Sequence, residues 1–203
     1  MDEYSTILMD EIVLAALPNV PFEGMNMNAV YAGAMVAKSS VDKVDILFPN
    51  GIRSFIDHWS QLADRLLVKE ITHANLNNLK IRERIALLVR TRLSRWYSNK
   101  DAIRGMVGLA YLPAYHEDSV VNLYKTVDAI WYLAGDQSVD FNFYTKRLLL
   151  AGVFSSTVLF WLNDNSHDSK ASWEFLDRRI SDIMLIPKLR AKLEGLTMNC
   201  SKA

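Results

Sequence analysis

Apolar side chains recur at helical spacing along nearly the whole chain, and this periodicity constrains the fold more than any other feature. Ile81, Ile85 and Leu88 lie three or four positions apart, which places them on one face of an α-helix. The sustained alternation of apolar and polar residues that is typical of strands does not occur in the sequence. The sequence therefore predicts an all-α fold.

Proline and glycine divide this pattern into separate helices. Pro18 and Pro21 predict the end of a first helix that begins near Ser5. The turn residues Pro49-Asn50-Gly51 precede a long helix that is expected to run to about Glu70. The stretch from Leu79 to Leu112 is long enough for two helices and is followed by Pro113.

Composition excludes some classes of protein. Half of the 203 residues are hydrophobic, the formal net charge is zero, and a lone cysteine, Cys200, rules out an internal disulfide. The first residues include Asp2 and Glu3 where signal and transit peptides are basic, so we expect a bacterial cytoplasmic protein. Leu148 to Leu162 is uncharged but shorter than the roughly 20 residues that span a bilayer, which favours a buried core helix.

Residues 1–50 have the spacing of a helix-turn-helix. One helix is predicted from about Asn26 to Lys38 and another ends at Leu47, ahead of Phe48 at the position of the aromatic hinge of TetR-type regulators. Seven acidic and two basic side chains give this segment five net negative charges, whereas DNA-binding modules are basic. The sequence predicts a TetR-like module without DNA binding at 1–50 and a second helical domain at 51–203.

The segment AGDQSVDFNFYTKR, residues 134–147, contains more charged and aromatic side chains than a link between two helices needs. Gly135 suits a left-handed helix cap, and Ser138 suits the N-cap of the next helix. Asp140 and three aromatic rings then crowd the first turns of that helix. This concentration of acid and aromatic groups indicates a recognition surface.

The same segment resembles the ninth coenzyme Q biosynthesis protein family, which supports ubiquinone biosynthesis. The resemblance runs from about His116 through WYLAGDQ at Trp131 to Gln137, and on through SWEFLDRRISDIM at residues 172–184. It implies a TetR-like fold that holds isoprenoid quinone lipids and presents them to the demethoxyubiquinone hydroxylase. Residues 51–203 would then be a helical lipid-binding and dimerisation domain. The resemblance also implies an accessory role, with no enzyme activity and no cofactor of its own. Residue 143 is often Trp in the family and is Phe here.

The resemblance and the helix pattern together predict three sets of binding residues. The partner-binding set comprises Asp140, Phe143, Tyr144 and Arg147. The lipid-binding set comprises Trp131, Tyr144, Leu148, Ala151 and Leu159. The membrane-binding set, on a basic amphipathic C-terminal segment, comprises Lys188, Leu189, Arg190, Lys192 and Leu193. We expect this chain to contact the bacterial inner membrane peripherally. In eukaryotic relatives the corresponding contact would be on the matrix side of the mitochondrial inner membrane.

The helix from Asp140 to Leu162 is apolar on two faces, so it must be buried on two sides. One face can meet the core and the other a ligand cavity or a second subunit. We expect a homodimer that buries Phe154 and Trp161. A central helix of a monomeric bundle is the alternative.

Other patterns are less specific. Ten basic residues lie between Arg65 and Arg104 against three acids, which fits either a surface for acidic groups or an ordinary solvated helix face. Glu70-x-x-His73 has a spacing found in di-iron sites, but those sites need two such pairs, so no metal site is predicted. The competing function is a TetR-type transcriptional regulator with a hydrophobic ligand pocket.

Overall fold

The computed structural model describes residues 3–72, 76–136 and 141–183, without the side chains of residues 141 and 142. These residues form helices joined by short turns, and no strand occurs among them, so the predicted all-α class is confirmed. The helices are α1 (Glu3–Ala16), α2 (Val20–Glu23), α3 (Met27–Val36), α4 (Val41–Leu47), α5 (Ile52–Ile71), α6 (Ile81–Ser94), α7 (Lys100–Ala110), α8 (Pro113–Leu133), α9 (Phe141–Leu162) and α10 (170–183).

Helices α1 to α4 pack together at one end of the chain. The Asn26 side chain caps α3 by accepting a hydrogen bond from the Asn28 amide, and Ser40 caps α4 in the same way. Gly33 in α3 faces Ala16 of α1 so closely that an added Cβ would lie 2.6 Å from the Ala16 backbone nitrogen. The position therefore requires glycine, because a larger residue would push the two helices apart.

The long helix α5 joins this group to the remaining helices. Phe48, directly ahead of α5, is buried and packs at 5.7 Å from the Phe55 ring and 6.3 Å from the His58 ring. Asp10 of α1 accepts hydrogen bonds from His58 and Arg65 of α5. The predicted boundary near residue 50 is thus crossed by packing and by ion pairs, and the division into two domains stays a prediction.

Helices α5 to α10 form a bundle around an aromatic and aliphatic core. Trp59 of α5 meets Trp96, just after α6, edge to face at 5.6 Å, and Trp161 of α9 is completely buried. Phe160 of α9 stacks on Phe175 of α10 at 4.6 Å, which holds the last described helix against the bundle. Such aromatic pairs add about 0.5–1.5 kcal/mol beyond the burial of their surface.

Two described stretches, Glu3–Glu23 and Phe143–Leu162, are long and apolar enough to span a membrane by length and composition. Yet 39% and 44% of the residues in their most apolar windows are buried inside the fold. A core helix passes the same test, so this finding alone does not indicate a membrane span.

Candidate functional site

An apolar cavity lies inside the bundle formed by α5, α6, α7, α8 and α9. Its volume is about 330 Å³, which is at the lower end of the range of small-molecule sites. Most of the wall is hydrocarbon and aromatic surface, from Ile56, Leu93, Trp96, Ile103, Met106, Val107, Leu123, Phe154 and Val158. The lining suits a ligand with little charge and a large apolar surface.

One wall of the cavity is polar. The Arg92 guanidinium donates to the Asp64 carboxylate at 2.9 Å and to the Thr126 hydroxyl at 3.0 Å, and it lies 5.5 Å from the Phe154 ring. Asn122 lies one helical turn before Thr126 on α8 and borders the same space. The positive charge of Arg92 is balanced by Asp64, so the wall presents hydrogen-bonding groups without a free cationic charge.

The exposed residues of the lining mark the mouth of the cavity. Tyr111 follows α7, Val120 lies on α8 and Leu159 lies on α9, and all three side chains are exposed. His116 lies near them, with its Nδ1 3.4 Å from the Ala110 carbonyl oxygen. The mouth therefore opens where the α7–α8 corner approaches the outer side of α9.

A second, polar cleft of about 960 Å³ lies between α1, α5 and α8. Most of its charged groups are in ion pairs: Arg53 with Asp118, Lys125 with Asp57, and Arg65 and His58 with Asp10 of α1. Burial lowers the pKa of His58, against the opposing effect of the Asp10 carboxylate. Most of the charge in the cleft is therefore balanced within the chain, which makes the cleft a weaker ligand site than the apolar cavity despite its size.

The α8–α9 corner contains the segment that the sequence singled out. Gly135 adopts φ of +90°, and its amide and that of Asp136 donate to the carbonyls of Tyr132 and Trp131, which is the Schellman arrangement at a helix end. The Arg84 guanidinium of α6 also donates to the Ala134 carbonyl at 3.0 Å. The predicted left-handed cap at Gly135 is confirmed, and Ser138 lies outside the described residues.

Arg147, one of the predicted partner-binding residues, is buried at this corner. Its Nε donates to Asp128 at 2.6 Å, its Nη1 lies 3.5 Å from Asp136, and its guanidinium lies over the Phe143 ring. Lys146 pairs with Asp136 at 2.7 Å. Arg147 thus ties the end of α8 to the start of α9, while its partner-binding role stays a prediction.

The two predicted aromatic residues differ in exposure. Tyr144 is 68% exposed, while Phe143 is half-buried against Arg147 and meets the Tyr144 ring edge to face at 5.1 Å. Tyr144 is therefore the more accessible of the two for a partner. Asp140, the fourth predicted partner residue, lies outside the described residues.

The predicted lipid-binding residues do not lie together. Leu159 lines the cavity mouth, but Trp131 is buried at the corner, where its Nε1 donates to the Lys146 carbonyl at 3.1 Å. Tyr144 and Leu148 are exposed on the outside of α9, and Ala151 is half-buried beside them. Most of the cavity wall comes instead from α5 to α8, whose sequences the prediction did not single out. Polar Asn122 and Thr126 among the buried positions of α8 were the available signal.

Helix α9 has the two apolar faces that the sequence predicts, with unequal burial. Leu150, Phe154, Val158 and Trp161 are buried within this chain, whereas Tyr144, Leu148 and Leu159 are exposed. The expectation that a dimer buries Phe154 and Trp161 is therefore wrong, because the core of the same subunit already covers them. A dimer through this helix would use the opposite face.

The remaining patterns have structural explanations where they are described. Seven of the ten basic residues between Arg65 and Arg104 donate to groups of their own chain, and these are Arg65, Arg84, Arg90, Arg92, Arg95, Lys100 and Arg104. Glu70 accepts from Arg95, and His73 lies outside the described residues. No group of three metal-ligating side chains occurs in the described part of the chain. The predicted membrane-binding set at 188–193 falls outside it.

Comparison with known proteins gives one consistent result. Residues 116–187 match the family model described as COQ9. The ubiquinone biosynthesis protein COQ9, mitochondrial, of Rattus norvegicus is 31% identical over 183 residues, which are 87% of this chain and 59% of the relative. The Homo sapiens protein of the same name is 31% identical over 87% of this chain and 58% of its own length, so the chain spans less than three fifths of these relatives.

The fold has a solved counterpart. The crystal structure of the TetR transcriptional regulator from Nitrosomonas europaea ATCC 19718 superposes with a TM-score of 0.69, covering 86% of this chain and 97% of that one. At 23% sequence identity the likeness shows the fold alone. The predicted TetR-like helical fold is confirmed.

Proposed function

We propose that this chain is a lipid-binding accessory protein of ubiquinone biosynthesis. The proposal starts from the match of residues 116–187 to the COQ9 family model and from the similarity to curated COQ9 proteins of that pathway. The homologues support a role in ubiquinone biosynthesis. The finer proposal is that the chain holds isoprenoid quinone intermediates and presents them to the demethoxyubiquinone hydroxylase.

The apolar cavity is the observation that carries this proposal. It lies between packed helices, as many small-molecule sites in helical bundles do, and its wall is mostly apolar with a few polar groups on one side. A quinone lipid has the same division, with oxygen atoms on a ring at one end and hydrocarbon elsewhere. Burial of hydrocarbon is favourable by about 25 cal/mol per Å².

We assign the chemistry of the pathway step to the partner. In this proposal the chain binds and positions the lipid, needs no cofactor, and leaves oxidation to the hydroxylase. Exposed Tyr144, beside the half-buried Phe143, is the described part of the predicted partner surface. Aromatic residues are frequent among the residues that dominate binding energy at protein interfaces.

Assembly and location complete the proposal. The exposed side of α9 around Leu148 and half-buried Ala151 is the proposed surface for a homodimer, which leaves Tyr144 to the partner and Leu159 to the cavity mouth. The curated relatives are named mitochondrial, and for this chain we propose peripheral contact with the bacterial inner membrane through residues 188–193. Co-sedimentation with anionic liposomes, compared with a variant truncated after Pro187, measures that contact.

The experiment that tests the proposal is mass spectrometry of lipids extracted from the purified protein. We expect isoprenoid quinone intermediates, and we expect a cavity-filling Val107→Phe variant to lose most of them. Val68→Phe, at an exposed position of α5 that does not line the cavity, is the matched control and should retain them. Extracts without isoprenoid lipid, or equal loading of both variants, would contradict the proposal.

A further inference from the structure

Asn122 occupies an unusual position in the molecule. It lies on α8, is only 9% exposed, and borders both the apolar cavity and the polar cleft. Its neighbours at the buried positions of α8 include Val127 and Ile130, which pack in the core. An apolar residue would serve packing equally well, so the amide needs another explanation.

The Asn122 amide has unused hydrogen-bonding capacity. Its Oδ1 is buried and accepts no hydrogen bond. Leaving a buried polar atom unpaired costs about 1–3 kcal/mol. Neighbouring polar groups are paired within the chain: Arg92 with Asp64 and Thr126, and the Ser119 hydroxyl with the Tyr115 carbonyl.

The chemistry of the surrounding wall restricts what Asn122 can recognise. Arg92 is neutralised by Asp64, so a phosphate or carboxylate entering the cavity would find no free cation on this wall. A neutral ligand avoids that cost. An amide offers one acceptor and two donors, which match the hydroxyl or carbonyl oxygens of a ring.

We propose that Asn122 is the polar contact of the cavity for a neutral, oxygen-substituted aromatic or quinone ring. A short rotation of the amide would bring its oxygen or nitrogen to the ring, and the hydrocarbon chain would leave past Tyr111 and Leu159 at the mouth. This inference rests on the proposed function and deepens it, since it names the part of the lipid that the cavity selects.

The experiment compares two probes by isothermal titration calorimetry on the delipidated full-length protein. The ring probe is a dimethoxy-methyl-benzoquinone with one isoprene unit, and the ringless probe is farnesene delivered from cyclodextrin. We expect Asn122→Leu to weaken binding of the ring probe about tenfold and to leave farnesene binding unchanged. The melting temperature should not fall, because the substitution removes a buried amide oxygen that accepts no hydrogen bond.

Controls keep the outcomes distinct. Asn28→Leu removes an exposed amide from the N-terminal helices and should change neither affinity, while Asn122→Ala is the second cavity variant if the leucine does not fit. Farnesene binding together with ring binding that does not depend on Asn122 would overturn this inference and leave the proposed function standing. Equal weakening of both probes would also overturn it, since that pattern indicates a change in cavity shape. If the wild-type protein binds neither probe, both proposals fail.

Discussion

At the scale of single residues, burial separates groups that hold the fold from groups that are free to meet a partner. Arg147 and Tyr144 are three positions apart in the same predicted surface, yet Arg147 is 5% exposed and Tyr144 is 68% exposed. Arg147 has carboxylates on both sides, and Asp136 is itself buried. The sequence could not distinguish the two, because arginine and tyrosine are both common at interfaces.

This difference gives a residue-level prediction. Arg147→Met should lower the free energy of unfolding by about 1–3 kcal/mol, because it removes the buried guanidinium that joins Asp128 to Asp136, while Lys146 still pairs with Asp136. Tyr144→Ala should change it by less than about 0.5 kcal/mol and weaken hydroxylase binding at least about tenfold. Urea denaturation and surface plasmon resonance measure the two quantities. A Tyr144→Ala protein that unfolds easily would show that this ring belongs to the core.

His58 gives a second residue-level prediction, on pH. Asp10 of α1 and Asp57 and Arg65 of α5 face this ring, and burial lowers its pKa in the folded state. As pH falls through about 6.5, the unfolded chain binds a proton before the folded one does, so the free energy of unfolding decreases. Denaturation series between about pH 7.5 and about pH 5.5 should show this decrease, and His58→Gln should reduce its slope. Greater stability of the wild-type protein at the acidic end would mean that Asp10 raises the pKa instead.

At the scale of helices, the sequence predicted well where each helix begins and ends, and poorly which helices pack against each other. Helix α3 was expected from about Asn26 to Lys38 and extends over Met27–Val36, because the Asn26 cap is a local signal. Which face of α9 meets the core depends on the helices that pack against it, and both faces are apolar. The cavity was missed for the same reason, since its wall is assembled from single turns of five consecutive helices, between Ile56 and Leu159.

The exposed face of α9 leads to a prediction at this scale. Leu148 is 74% exposed near the middle of that face, and Gly152, one turn further on, has open space around it. Leu148→Lys should convert the proposed dimer into a monomer without loss of helical content, because a lysine in the centre of an apolar interface loses its hydration. Val68→Lys, an exposed valine of α5, is the control and should remain dimeric. Light scattering distinguishes the cases, and a wild-type monomer at micromolar concentration would exclude the interface.

At the scale of the whole molecule, the chain shares its fold with a transcription regulator, but its N-terminal module has a net negative charge, which DNA repels. Helix α4 occupies the position expected of a recognition helix and presents exposed Asp42, Asp45 and Ile46. Asp45 also accepts a hydrogen bond from Tyr31 of α3 at 2.9 Å, which fixes the acid on the module's surface. The net charge of the chain is zero, so the molecule as a whole has no general attraction to phosphate, and its excess of basic residues lies outside this module.

We therefore expect no sequence-specific DNA binding at physiological salt. Fluorescence anisotropy with a genomic fragment library tests this directly, and replacing Asp42 and Asp45 by lysine should raise only the salt-sensitive, non-specific component. Submicromolar binding to one sequence by the wild-type protein would favour the regulator over the lipid-binding function.

The modest volume of the cavity has a consequence for how such a protein would handle a long lipid. A space of about 330 Å³ is at the lower end of the range of small-molecule sites, so it suits a ring with a short tail better than a whole polyprenyl lipid. Each methylene drawn out of a bilayer into water costs about 0.8 kcal/mol, so the part of a polyprenyl tail that the cavity does not cover would stay in the leaflet while the ring is lifted. Exchange would then be lateral and fast, one head group replacing another at the mouth, and its rate would not depend on the number of isoprene units.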